Sequence, residues 1–221
     1  QECLIANNSC GRILGFTLLH SHLIVGSTII ITRCNDMEKP IRYLENIEKY
    51  RVSTFVSEIF HIFKYFKETI AFMTSVYLQC VNCAAAPLGK DLSTAFLKRH
   101  PYIKYLKQMY GMTEIGGACL PLLESNELDA SAGITASRVQ QKIIDLVTGE
   151  PVKLGDFGEI CIKSPTIIKG YLNRPMATSE LIDSEGWAHT GDIGYMDVTG
   201  RVFIVDRLKE VIKSMALQVE I

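Results

Sequence analysis

The stretch Tyr110-Gly111-Met112-Thr113-Glu114-Ile115-Gly116-Gly117 sets an aromatic ring, a hydroxyl, a carboxylate and three glycines close together. Together these groups suit a phosphate-bearing ligand. The glycines let backbone approach a ligand closely. Thr113 offers a hydroxyl, with backbone N–H groups around it, to a phosphate oxygen. Glu114 offers a carboxylate to Mg2+, a hard cation that prefers carboxylate, water and phosphate oxygens. Tyr110 can lie against a planar base. Taken alone, the stretch also reads as a glycine-rich turn carrying a solvated Glu. A second group follows in His189-Thr190-Gly191-Asp192 and in the run from Val205 to Lys213. Asp192, expected in a turn, can accept both hydroxyls of a ribose diol, and Arg207 can add donors to the sugar or phosphate. Each of these, alone, also reads as a surface turn and a surface basic cluster.

The elements that must position these residues follow from periodicity. Leu23–Thr32 is predicted as a buried strand. Met37–Tyr50 is predicted as a helix with Ile41, Leu44 and Ile47 on one stripe, and Val52–Val56 as a short strand. Glu58–Met73 repeats Ile59, Ile62, Phe63, Phe66 and Ile70 at helical spacing. Val76–Cys83 is predicted as a strand, Leu88–Arg99 as a helix with Leu88, Leu92, Ala95 and Phe96 on one face, and Ile103–Met109 as a strand. This alternation favours a parallel sheet with right-handed crossovers. Ligands of such sheets sit beyond the carboxyl ends of strands, where Ala84-Ala85-Ala86-Pro87 and the Tyr110 stretch are expected side by side. The texture changes near Pro121. From Lys142 to Arg207, short alternating strands and turn signals predict an antiparallel sheet or small barrel, with Met176–Ile182 as its helix.

Composition narrows the classes. The 221 residues are 48% apolar with a formal net charge of -1, and no basic face invites nucleic acid. No apolar run reaches the ~20 residues of a membrane span. Seven scattered cysteines point to a reducing intracellular compartment rather than a disulfide framework. Cys80 and Cys83 form a C-x-x-C pair that lacks a second ligand pair at zinc-site spacing. His20 and His22 are expected to be packed, His61 and His100 on the surface, and His189 structural within its turn. Neither end of the chain looks natural, and a fragment is expected.

Four words, "YGMTE", "GEICIKSPTIIKGYLNRP", "GWAHTGDIGYMD" and "VFIVDRLKEVIK", occur in this order and spacing. They resemble the adenylate-forming acyl-CoA synthetase superfamily, in particular its branch of 4-coumarate–CoA ligases and insect luciferase-like enzymes. The resemblance implies an α/β fold. Residues 1–124 would form a parallel-sheet layer, 125–207 a small antiparallel β-barrel, and 208–221 the hinge and start of a truncated C-terminal domain. It implies activation of a small carboxylic acid, fatty or aryl, by Mg·ATP to an acyl-adenylate, then transfer to coenzyme A. A non-catalytic nucleotide-binding relative and a luciferase-like monooxygenase share the same words. Peroxisome and cytoplasm are the expected compartments.

By motif, the resemblance places Ala84, Ala85, Ala86 and Pro87 against adenine and the acyl group. Gln108, Tyr110, Gly111 and Met112 would line adenine, Thr113 would touch phosphate, and Glu114 would ligate Mg2+. Asp192 and Arg207 would hold the ribose, Lys209 would be the hinge, and Lys213 would serve the second half-reaction. Departures from the family pattern are also visible. No Ser/Thr/Gly-rich phosphate loop with its lysine occurs, and most of the C-terminal domain is missing, so the chain alone is not expected to be a competent enzyme. The family's Gly-Gly reads Ala84-Ala85, its Lys-Gly after the second-step lysine reads Met215-Ala216, and its barrel entry reads Ala130-Ser131-Ala132-Gly133 with Ser137 for proline. Gly11-Arg12-Ile13-Leu14-Gly15 stands where an aromatic or His guards the acyl site; Arg12 there could pair with a second substrate carboxylate, or the match could be out of register.

Overall fold

A computed structural model describes residues 3–6, 11–31, 40–58, 77–86, 88–121, 130–208, 211–214 and 217–220. The chain divides into two compact units, one of residues 1–108 with 124–130, the other of residues 109–123 with 131–221. The YGMTE stretch therefore packs with the second unit.

In the first unit the elements run β1 (Cys3–Ala6), α1 (Ile13–Ile24), β2 (Thr28–Ile31), α2 (Pro40–Lys49), β3 (Thr54–Glu58), β4 (Cys80–Ala84), α3 (Lys90–Arg99) and β5 (Tyr105–Gln108). Among the described residues the strands form one parallel sheet in the order β2-β1-β3-β4-β5. Phe55, Val81 and Leu106 are register neighbours across β3, β4 and β5 and are all buried, as are Ile47, Leu78, Leu88, Phe96 and Ile103. Each such side chain contributes about 1.5–3 kcal/mol on burial. That row fixes the register and so fixes where β4 and β5 end: Cys83 pairs with Gln108, which brings Ala84 and the residues after it to the end of β5. Of the expected helix over residues 58–73, Glu58 instead ends β3, and residues 59–73 lie, with Pro87, outside the described residues.

Four expectations change here. The apolar run from Leu23 to Thr32 is not one strand: it holds the end of α1, a turn and β2. Gly26 has φ +71°, its N–H donates to the Leu23 carbonyl, and the Ser27 N–H donates to the His22 carbonyl. That pair of bonds is a Schellman stop, and it splits a run whose apolarity is continuous. Leu92 is 53% exposed, while Ser93 and Phe96 form the buried face of α3. His100 is buried rather than on the surface, its Nδ1 3.0 Å from the Tyr102 hydroxyl and its ring beside Phe96. His20 is exposed, contrary to the packed position expected.

Burial first, and then the nearby Arg99 charge, lower the His100 pKa from 6.5 to about 4. The neutral ring is the folded form, so between pH 6.5 and 4 the unfolded chain binds more protons. Stability is intact above that window and falls as pH drops through it, by about 2 kcal/mol. Urea midpoints at pH 7 and pH 4.5 should differ less in His100→Gln than in the parent.

Ala85 takes φ +75°, the left-handed region that favours glycine. The residue changed where the resemblance expects glycine, but the backbone kept the glycine conformation. Restoring it with Ala85→Gly should raise stability by about 0.5–1 kcal/mol, after offsetting the extra freedom of the unfolded chain, and lift Tm by about 2 °C in a thermal melt.

The second unit begins with β6 (Tyr110–Met112), β7 (Gly116–Leu120) and β8 (Ile134–Thr135), an antiparallel three-stranded sheet. β9 (Gln140–Ile144), β10 (Gly158–Lys163), β11 (Ala188–Met196) and β12 (Val202–Arg207) form a second antiparallel sheet, with α4 (Pro175–Leu181) between β10 and β11. β13 (Val211–Ser214) and β14 (Leu217–Glu220) pair as a hairpin. Ile115, Ala118, Cys119, Ile160, Ile162, Ala188 and Val202 form the buried core of this unit. Among the described residues, no helix is long and apolar enough to cross a membrane.

Candidate functional site

The candidate site lies within the second unit. Asp192 sits on β11, not in a turn as the sequence suggested. Buried and partly exposed residues alternate along that strand, and Ala188, Thr190 and Asp192 fall on its buried side. This is the period of an extended chain. Asp192 is 3% exposed, and its register partner across β12 is Arg207. The interval between the two residues is thus the length of one hairpin.

Two donors converge on the Asp192 carboxylate. Arg207 Nε donates to Oδ1 at 2.6 Å, and the Tyr110 hydroxyl donates to Oδ2 at 2.7 Å. The Thr190 hydroxyl donates to the Ile160 carbonyl at 2.7 Å and accepts the Asp192 N–H at 3.1 Å. Burial, and then the Asp192 charge, push the Tyr110 phenol well above its ordinary pKa, so it stays a donor. A carboxylate offers about four acceptor positions. Two are taken here by groups that also fix its plane, which leaves acceptor capacity for a vicinal diol.

Thr113 and Glu114 occupy the turn between β6 and β7, Thr113 exposed and Glu114 half-buried. A segment from Ser164 to Tyr171 straps this turn. The Thr166 hydroxyl donates to the Ile115 carbonyl at 2.6 Å, the Ile168 N–H donates to the Glu114 carbonyl at 2.9 Å, and the Tyr171 hydroxyl donates to Glu114 Oε1 at 2.9 Å. Desolvation and Glu114 together raise the Tyr171 pKa to about 12. The glycines divide their tasks. A Cβ on Gly111 would lie 2.2 Å from the Gly116 carbonyl oxygen, so Gly111 serves the hairpin itself, whereas a Cβ on Gly117 would meet nothing within 4 Å.

The structure thus brings Tyr110, Asp192 and Arg207 into direct contact and places Gly111, Met112, Thr113 and Glu114 on the hairpin that starts at Tyr110. Ala84, Ala85, Ala86 and Gln108 belong to the first unit, where the Gln108 side-chain oxygen accepts the Leu88 N–H and ties down the loop after β4. Lys213 lies on β13; its side chain, Lys209 and the Met215-Ala216 pair lie outside the described residues. Arg12 is the exposed N-cap residue of α1. Sequence reasoning missed Tyr171 as a partner of Glu114 and the Tyr110–Asp192 bond. The only signal for the first was a tyrosine shortly before the Pro175 helix start.

Comparison with known proteins was decisive for the family. The profile described as AMP-binding enzyme matches residues 4–172, more than half the chain. The chain belongs to the AMP-binding enzyme family. Within that family it is 42% identical over 207 residues to a 4-coumarate–CoA ligase of Vanilla planifolia, covering 89% of this chain and 36% of that protein. It is 40% identical over 205 residues to 4-coumarate-CoA ligase 1 of Narcissus pseudonarcissus, again covering 89% of this chain and 36% of the relative. The chain therefore spans little more than a third of the length of these family members. In fold it is similar to the amide bond synthetase McbA from Marinactinospora thermotolerans, with a TM-score of 0.84 at 24% identity over 99% of this chain and 43% of that one. It is also similar to the luciferase-like enzyme of the nonluminescent mealworm Zophobas morio, with a TM-score of 0.78 at 24% identity over 93% of this chain and 49% of that one.

Proposed function

We propose that this chain supplies the nucleotide-holding part of an ATP-dependent acid–thiol ligase, which joins a carboxylic acid to AMP and then passes the acyl group to coenzyme A. The observation that carries the reading is the buried Asp192 carboxylate held in plane by Tyr110 and Arg207. Asp192 accepts the two ribose hydroxyls, Arg207 adds donors toward sugar or phosphate, and the Tyr110–Met112 strand lines the base. Thr113, in the exposed turn, donates to a phosphate oxygen. Glu114 is the residue that would hold Mg2+, whose chemistry is to neutralise phosphate charge as pyrophosphate leaves. Holding the nucleotide and acid in line supplies much of the rate by positioning alone. Ala84–Pro87 and Gln108 keep the adenine and acyl roles that their motif implies, Lys209 the hinge role and Lys213 the second-step role. Residues 125–207 are read as the barrel subdomain and 208–221 as the start of the C-terminal domain.

The named activity of the relatives favours an aryl acid of the hydroxycinnamate type over a fatty acid. In the complete protein that carries this chain, the test is acid-dependent exchange of pyrophosphate into ATP across a panel of aryl and fatty acids. A second reading, a relative that binds nucleotide without forming a thioester, is favoured by Ala85 in a glycine conformation. AMP binding without exchange would select it.

Tyr171 is expected to position Glu114. Tyr171→Phe should raise the Mg2+ concentration needed for half-maximal exchange about 3- to 10-fold, the worth of about 1 kcal/mol for one hydrogen bond, and leave metal-free AMP binding unchanged.

A further inference from the structure

A second cluster in the same unit contains no residue assigned above to the nucleotide. Cys161 on β10 and His189 on β11 are cross-strand register partners, and Glu159 precedes Cys161 by two positions across a register shift. Cys161 Sγ lies 3.7 Å from His189 Nδ1, and Glu159 Oε2 lies 3.0 Å from the same nitrogen. The three donor atoms all fall within 4.8 Å of one another. We propose that Glu159, Cys161 and His189 bind a thiophilic divalent cation, zinc by their chemistry.

Three observations converge on this site. Bond lengths of ~2.3 Å to sulfur and ~2.0–2.2 Å to nitrogen and oxygen would set tetrahedral ligand atoms about 3.4–3.6 Å apart, and the two measured separations bracket that value. The second observation is over-subscription. Nδ1 has one proton to give, which goes to Glu159 Oε2 at 3.0 Å and leaves Cys161 Sγ a long, weak contact at 3.7 Å, whereas a cation would engage all three. The third is an outer layer already built. His189 Nε2 faces Asp183 Oδ2 at 3.6 Å, Asp183 Oδ1 accepts the N–H groups of Glu185 and Trp187, and Glu159 Oε1 accepts the Gly191 N–H. Metal-ligating histidines and carboxylates are ordinarily oriented in this way.

The donor set excludes Mg2+ and separates this site from Glu114, because thiolate and imidazole select zinc-like ions. Charge also balances: one carboxylate and one thiolate neutralise a divalent ion in a site where Cys161 is fully buried. The His189 side chain, 30% exposed, gives a way in from solvent. Binding replaces the Cys161 S–H bond by a sulfur–metal bond and sends that proton to solvent. The metal takes the Nδ1 lone pair of His189, so a proton on Nδ1 moves to Nε2, which faces Asp183, or leaves if Nε2 already carries one; at least one proton is released per metal.

The test is titration of the purified, metal-stripped protein with Co(II). One equivalent should bind with a thiolate-to-cobalt charge-transfer band and tetrahedral ligand-field absorption, release at least one proton, and be displaced by Zn(II). Cys161→Ser should lose the charge-transfer band, Cys80→Ser should keep it, and Asp183→Asn should weaken binding about tenfold. Near-UV circular dichroism checks that Cys161→Ser is folded; if it is not, His189→Gln, which should weaken Co(II) at least tenfold, takes its place. No charge-transfer band in the parent, or a band that survives loss of Cys161 or binding unaffected by His189→Gln, overturns the proposal.

Discussion

Replacing Asp192 by alanine is expected to weaken AMP binding by at least two orders of magnitude and to abolish acid-dependent exchange. The magnitude follows from the contacts. Two charge-assisted hydrogen bonds to a ribose diol are each worth about 1.5–3 kcal/mol, and the variant loses both. It also strips the Tyr110 hydroxyl and Arg207 Nε of their shared acceptor in a site where Asp192 is 3% exposed. A cation and a phenol left without that partner cost about 2–4 kcal/mol of stability, less than a fully buried pair because Arg207 keeps some solvent. Asp192→Asn separates the two effects. Its amide oxygen can still accept from Arg207, so the fold should be nearly spared, while the ribose meets a weaker acceptor and affinity should fall about tenfold. Calorimetric titration with AMP, alongside a thermal melt of each variant, reads both. Tyr110→Phe, which removes one donor and no charge, should cost about 1 kcal/mol in stability.

Replacing Glu114 by glutamine is expected to lower the exchange rate by about two to three orders of magnitude, the worth of several kcal/mol of metal-assisted charge stabilisation. The amide is the same size, can keep its oxygen toward the Tyr171 hydroxyl, and leaves the Ile168 bond to the Glu114 carbonyl untouched. The turn should therefore survive. Metal-free AMP binding should be unchanged, and raising the Mg2+ concentration should recover part of the rate. A variant that loses AMP binding in the absence of metal would instead mark Glu114 as a structural residue of the hairpin.

Most of the parallel sheet was legible because its strands are short β-branched or apolar runs between helical repeats, as in the Phe55–Val81–Leu106 row, but β1, which lies between β2 and β3, was not read. The helix α1 was not legible. Its apolar residues merge into those of β2, and only the Gly26 stop separates them. His100 misled for a similar reason: the charged residues Lys98 and Arg99 precede it on the chain, yet the helix has ended and the ring turns inward. In the site, residue types allowed Asp192, Arg207 and Glu114 a nucleotide role but left each an ordinary turn or surface reading too, and it was the ordered set of motifs that singled them out. What pairs with them did not show. Tyr171 meets Glu114 from 57 residues away, and Tyr110 meets Asp192 from 82 residues away. Such partners are set by sheet register and strap geometry, which local spacing does not encode. The His189 neighbourhood was read as a turn because Thr-Gly-Asp is a turn sequence. Pairing with β10 and β12 holds it extended instead.

Acid-dependent ATP–pyrophosphate exchange by the complete protein that carries this chain tests the central claim most directly. With Mg2+ present, label should pass from pyrophosphate into ATP only when a suitable aryl or fatty acid is added, and the Asp192→Asn variant should need about tenfold more nucleotide to reach the same rate. No exchange with any acid of the panel, by a protein that is folded, would contradict carboxylate activation. Exchange indifferent to Asp192 would contradict its place at the ribose.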